Sequence, residues 1–95
     1  MTTKANYLEK EVEIANKLGL HLRAAALFVK LANQYKSEVF VKKGVQQVDG
    51  KSIMGIMTLA APFGSKIKIM SKGSDANEML NALEKLIKIK FGEKE

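Results

Sequence analysis

The chain has no cysteine, so disulfides, thiol nucleophiles and zinc sites built on thiolates are excluded. It has a single histidine, His21, and without thiolates beside it neither a transition-metal site nor a bound cofactor is expected. No stretch approaches the roughly 20 continuous apolar residues of a membrane span, so membrane insertion is not expected. The opening "MTTKANYLEK" lacks the apolar core of a secretory signal, which makes the cytoplasm the expected location. Aromatics are sparse (two Tyr, four Phe) and the lysines are dispersed, so a basic nucleic-acid-binding domain is a remote alternative.

What remains is a chain of 95 residues, 46% hydrophobic, which fits one globular domain over residues 1–95. The formal net charge of +6 suggests an acidic partner without naming it.

From Tyr7 to Ile14 the sequence alternates, with Leu8, Val12 and Ile14 on one face and Glu9, Glu11 and Glu13 on the other. That period of two predicts a half-buried strand. "LHLRAAALFVKLANQY" then reads as a helix, with Leu22, Ala25, Ala26, Val29 and Ala32 recurring at helical spacing. It is apolar nearly all round, which leaves one side for a partner. "SEVFVKK" and "VQQVD" predict two strands joined at Gly44. Ser52 suits the N-cap of a short helix over "IMGIMTLAA", ending ahead of Pro62. "SKIKIMSK" alternates again, with Ile67 and Ile69 inward and Lys66 and Lys68 outward. Last comes a long helix capped by Ser74 or Asp75, with Met79, Leu80, Leu83, Leu86 and Ile87 as its buried stripe and Lys88 and Lys90 in its last turn. The order β-α-β-β-α-β-α predicts an α+β fold, one antiparallel sheet with helices on one face. Glutamates of the first strand and lysines of the last would complement each other as neighbours.

Three motifs invite chemistry. "GKS" at Gly50–Ser52 resembles a phosphate loop, but five residues separate Gly44 from Gly50 where that pattern needs four, so it is rejected. Ile53, Met54, Ile56 and Met57 crowd a helix too short to bury them all, and exposed methionine suits docking. In "GLHLRAAA", His21 stands where a helix begins. There the free backbone amides favour an anion and disfavour a protonated imidazole, which leaves a neutral ring nitrogen as a nucleophile. Arg23 adds a guanidinium able to grip a phosphoryl group. The set suits a histidine that accepts and releases phosphate. It suits general acid–base work poorly, because no carboxylate is expected nearby to orient the ring.

"NKLGLHLRAAALFVKLANQYKSEVFV" followed by "DGKSIMGIMTLAAPFGSKIKIMSKG" strongly resembles the HPr/NPr family, the histidine phosphocarriers of the bacterial phosphotransferase system. The resemblance runs from about Glu11 to Phe91. It implies the HPr-like open-faced β-sandwich, a four-stranded antiparallel sheet covered on one face by three helices. It implies a covalent carrier and not a free-standing catalyst: enzyme I, charged by phosphoenolpyruvate, phosphorylates His21 at Nδ1, and His21 passes the group to an enzyme IIA domain. Arg23 matches the family's active-site arginine. Ser52 matches the serine that a dedicated HPr serine kinase/phosphorylase modifies in many lineages. Leu22, Ala26, Ile53, Met54 and Met57 fall in the apolar docking surface around the histidine.

Two positions depart from the family's pattern. Ala24 stands where a proline usually follows the arginine, and Leu22 replaces a commoner small residue beside the histidine. The first makes "GLHLRAAA" resemble the nitrogen-regulatory branch and proteobacterial relatives more than the sugar-transport branch, and both leave the downstream partner open. A regulatory paralogue that binds partners according to its phosphorylation state is therefore the alternative to a sugar-transport carrier.

Overall fold

A computed structural model describes residues 6–95. The first five residues, and with them half of the stretch read for a leader and the start of the expected domain, lie outside the described residues. The elements are β1 (Leu8–Glu13), α1 (Leu22–Ala32), β2 (Glu38–Lys43), β3 (Gln46–Asp49), α2 (Ile53–Thr58), β4 (Lys66–Lys72) and α3 (Ala76–Lys88), followed by a 3-10 turn over Lys90–Gly92. Order and types match the sequence reading.

The four strands form one antiparallel sheet in the order β1-β4-β2-β3. The register sets Glu11 opposite Lys68 and Glu13 opposite Lys66, and Glu9 approaches Lys68 diagonally at 3.6 Å. The complementarity expected between first and last strand is therefore what β1 and β4 share. Val12, Ile14, Val39, Val41, Ile67 and Ile69 turn to the other face. There they meet Phe28 of α1, Ile56 of α2 and Met79, Leu80, Leu83 and Ile87 of α3 in one continuous core. Burying apolar side chains of this size contributes about 1.5–3 kcal/mol each, which makes this layer the main source of stability.

Several details differ from expectation. The buried side of α1 is Ala24, Ala25, Phe28, Val29 and Ala32, and Leu22 lies outside it at 60% exposed. Helical spacing fits both stripes; the bulk of Phe28 decides which one faces inward. Leu8 shares a face with Val12 but begins an edge strand and stays exposed. α2 ends at Thr58, short of the alanines: Leu59 is its C-cap and Ala60 takes a left-handed φ of 47°. α3 ends at Lys88, so Lys90 belongs to the following turn. Asp75 stands at the N-cap of α3 but makes no cap bond. Its carboxylate accepts instead from the backbone N–H groups of Lys36 and Ser37 and from the Ser37 hydroxyl, tying α3 to the start of β2.

Candidate functional site

The turn before α1 is forced by close approach. Gly19 has φ +70°, and a Cβ there would sit 2.6 Å from the Ala61 carbonyl oxygen. That contact lets the Leu20 N–H donate to Ala61 at 2.9 Å, docking the start of α1 against the loop after α2. His21 follows as the N-cap of α1, extended at φ −75° and ψ 178°, as the sequence predicts. The first helical bond runs from the Ala25 N–H to the His21 carbonyl at 2.8 Å. Ahead of it, the N–H groups of Leu22, Arg23 and Ala24 precede any intrahelical acceptor, and the His21 side chain does not cap them. No acidic residue occupies the first turn; Arg23 does, exposed, where the helix dipole disfavours a cation. A local conflict of that kind is what an anion-handling site leaves in a sequence.

One expectation is overturned. A carboxylate does orient the ring: His21 Nε2 and Glu93 Oε2 are 2.6 Å apart. Glu93 comes from 72 residues further on, so nothing local in the sequence could announce it. It is delivered by an unusual turn in which Lys90 (φ 61°) and Phe91 (φ 56°) are both left-handed and the Phe91 ring is buried in the core. Left-handed backbone in non-glycine residues costs about 1–3 kcal/mol each and persists only where the surroundings enforce it. Here the burial of Phe91 does so.

Other groups hold the same segment. Asn16 Nδ2 donates to both Glu93 oxygens (3.1 and 3.2 Å) and to the Gly19 carbonyl (2.9 Å). The Lys17 N–H donates to Glu95 Oε2 at 2.7 Å, and Lys90 pairs with Glu95 at 3.3 Å. Asn16 is fully buried, and its Oδ1 has no partner among the described residues. Burial pushes the Glu93 carboxyl up, but the hydrogen bonds from His21 and Asn16, with the charges of His21 and Arg23, outweigh it. Glu93 therefore titrates below the usual carboxylate range. Its side chain is 10% exposed and that of His21 29%, so the ring has one held edge and remains reachable. Lys17, Leu18, Arg23, Glu93, Lys94 and Glu95 line an open depression beside it.

The predicted docking residues divide by burial. Leu22, Ile53, Met54 and Met57 are all exposed, Met54 at 73%, whereas Ala26 is only half-buried. Ile56 takes the core position on α2, and Ile53 stays outside the core. α2 packs against α1, which sets both apolar groups on neighbouring helices. Leu18 and Phe63, in loops flanking α1 and α2, are also exposed, and the sequence reading missed them. Ser52 caps α2 as expected: its hydroxyl accepts from the Gly55 N–H at 2.9 Å. Among the described residues no hydrogen bond joins Ser52 to His21 or Arg23, and no cluster of His, Cys, Asp and Glu could hold a metal ion. No helix of the described chain is long and apolar enough to cross a membrane.

Comparison with known proteins places this geometry. The family model for the PTS HPr component phosphorylation site matches residues 8–88. The chain is 50% identical over 88 residues to the phosphocarrier protein HPr of Neisseria meningitidis serogroup A, covering 93% of this chain and 99% of that one. It is 47% identical to the HPr-like protein Crh of Halalkalibacterium halodurans, with the same coverage. Among solved structures, the crystal structure of HPr-C-His from Thermoanaerobacter tengcongensis superposes with a TM-score of 0.89 at 45% identity, covering 93% of this chain and 99% of that chain.

Proposed function

The chain belongs to the HPr family of phosphocarrier proteins of the phosphotransferase system, and on that premise we propose that His21 is its phosphoacceptor, taking a phosphoryl group from enzyme I and passing it to an enzyme IIA domain. The observation that carries this reading is a reachable imidazole at the uncapped start of α1 with Arg23 in the same turn. Free amides and the helix dipole favour the phosphoryl dianion. The Arg23 guanidinium adds a forked, charge-assisted grip. His21 attacks through the ring nitrogen that Glu93 does not engage, Nδ1, which is also the nitrogen the family uses. The group leaves by the same route to the next acceptor, so the protein acts as a covalent relay.

The exposed Leu22, Ile53, Met54 and Met57 form the apolar contact for both donor and acceptor, and the +6 charge draws acidic partners to it. Ser52 is a candidate regulatory phosphorylation site for a serine kinase. The chain works as one phosphocarrier domain in the cytoplasm.

Incubation with enzyme I and phosphoenolpyruvate tests the reading. It is expected to yield one acid-labile, base-stable phosphoryl group. Stoichiometric labelling that survives His21→Ala would sink it. Ala24, fully buried where a proline is usual, supports the second reading, a nitrogen-branch or regulatory paralogue. Transfer from the labelled protein to IIA proteins of the two branches, measured side by side, separates the two.

A further inference from the structure

We propose that Glu93 is a positioning residue that holds His21 as the Nε2–H tautomer, so that Nδ1 presents its lone pair to phosphorus; the inference rests on His21 being the phosphoacceptor. The 2.6 Å contact joins Nε2 to one oxygen of a carboxylate that also accepts from Asn16. An ionised carboxylate has lone pairs and no hydrogen, so the hydrogen of this bond must reside on Nε2. In a neutral imidazole the other nitrogen is then the acceptor and nucleophile. A neutral ring free of such a partner divides itself between two tautomers, and the Nδ1–H form cannot attack through Nδ1.

The transfer balances without a proton in motion. The Nδ1 lone pair forms the N–P bond while the donor's bond to phosphorus breaks, its electron pair leaving with the donor. His21 becomes an Nδ1-phosphoryl ring that still carries Nε2–H and has gained a positive charge. Glu93 is already against that charge. A buried carboxylate that orients a histidine and then stabilises its imidazolium is a known catalytic device. Return transfer reverses each step, and Nε2–H again stays in place.

The opposing effect is repulsion between Glu93 and the incoming phosphoryl dianion. Coulomb energy falls with distance. The favourable contact acts at 2.6 Å, whereas the phosphoryl group attaches on the far side of the ring. Arg23, close enough to draw the Glu93 carboxyl down, opposes that repulsion. The attraction wins. The bonds holding the segment explain why the carboxylate stays: Phe91 anchors it in the core, Asn16 clamps Glu93 itself, and Glu95 ties the segment's end to Lys17 and Lys90.

The test compares the wild type with Glu93→Gln, Glu93→Asp and Glu95→Gln. Long-range nitrogen–proton NMR of His21, recorded at a pH where the ring is neutral, is expected to show the Nε2–H tautomer in the wild type. In Glu93→Gln, whose amide can donate to Nε2, the Nδ1–H form is expected to gain. Its phosphorylation by enzyme I should slow by about ten- to a hundredfold, the span expected for a lost charged hydrogen bond, in kcat and not in KM. Glu93→Asp should recover part of both readouts. Glu95→Gln, whose side-chain oxygen still accepts from the Lys17 N–H and so keeps the tether, should move neither. A wild type in the Nδ1–H form, or a Gln variant with unchanged tautomer and rate, would overturn the proposal. So would a Glu95→Gln variant slowed as much as Glu93→Gln, which would mean that tethering alone matters. A wild type with the Nε2–H tautomer that takes no phosphate on His21 would instead overturn the carrier reading, and the kinetic half of the proposal with it.

Discussion

Arg23 is an expensive residue for a helix to carry in its first turn. A cation there opposes the macrodipole by about 0.3–1 kcal/mol, and its side chain is exposed. Removing it should therefore leave stability within roughly 0.5 kcal/mol of wild type, or raise it slightly. Transfer is a different matter. Arg23→Ala is expected to slow phosphoryl transfer by about ten- to a hundredfold, for loss of a charge-assisted contact worth about 1.5–3 kcal/mol. Thermal melts and transfer kinetics on the same variant check both halves. His21 and Arg23 were legible in the sequence because they share one turn of one helix, where spacing alone dictates proximity. Glu93 was not: its place depends on a backbone path through Lys90 and Phe91 that neither residue type advertises, since left-handed turns are usually announced by glycine or asparagine.

Among the elements, α2 has six residues and depends on its ends. Ser52→Ala removes the bond to the Gly55 N–H and is expected to cost about 1 kcal/mol while leaving phosphorylation of His21 unchanged. Ser52→Asp keeps an acceptor at the cap, so the fold should hold. Its charge sits at the foot of the exposed Met54 and Met57, however, and should slow phosphorylation by enzyme I. Equal rates for Ser52→Asp and wild type would leave Ser52 as a cap alone. The closing 3-10 turn makes a second element-scale case. Phe91→Ala should cost about 3–5 kcal/mol for the lost ring, and it should also detach Glu93 from His21, visible as a changed imidazole signal in the still-folded fraction.

Elements with strong periodicity were read correctly in type and order: the glutamate-faced β1, the lysine-faced β4 and the apolar stripe of α3 each state their inner face. α1 did not, because alanine on every side gives two plausible stripes and only packing chooses between them. Asp75 likewise looked like a helix cap and proved to be a cross-link to Ser37.

At the scale of the molecule, carboxylates tie distant segments together, and for three of them the fold also lowers the pKa. Asp75 binds the start of β2, Glu84 of α3 binds Lys10 of β1 at 2.9 Å and Lys88 at 3.3 Å, and Glu93 binds His21 and Asn16. Hydrogen bonds from Ser37 to Asp75 and from Lys10 to Glu84 draw those two carboxyls down, and Glu93 is lowered as described above. Each group then binds its proton less readily folded than unfolded. The stability it contributes is complete above the ordinary carboxylate pKa and is lost as pH falls through the lowered folded values. Unfolding free energy should accordingly decline as pH falls through the carboxylate range. Glu84→Gln should make that decline shallower in denaturant titrations across the acid range.

The strand order also fixes a timetable for synthesis. β2 and β3 are consecutive and joined by a short turn, so they can pair as soon as both have left the ribosome. β1 emerges first yet has only β4 for a neighbour, and must wait while α1, β2, β3 and α2 are made. During that interval its inner face, Val12 and Ile14, lacks a permanent cover and is a natural place for a chaperone to hold. His21 is built early as well, but the carboxylate that engages it is translated after every strand and all three α-helices. A nascent chain therefore carries its histidine well before the histidine's partner exists, and the completed site can report that the fold behind it is finished.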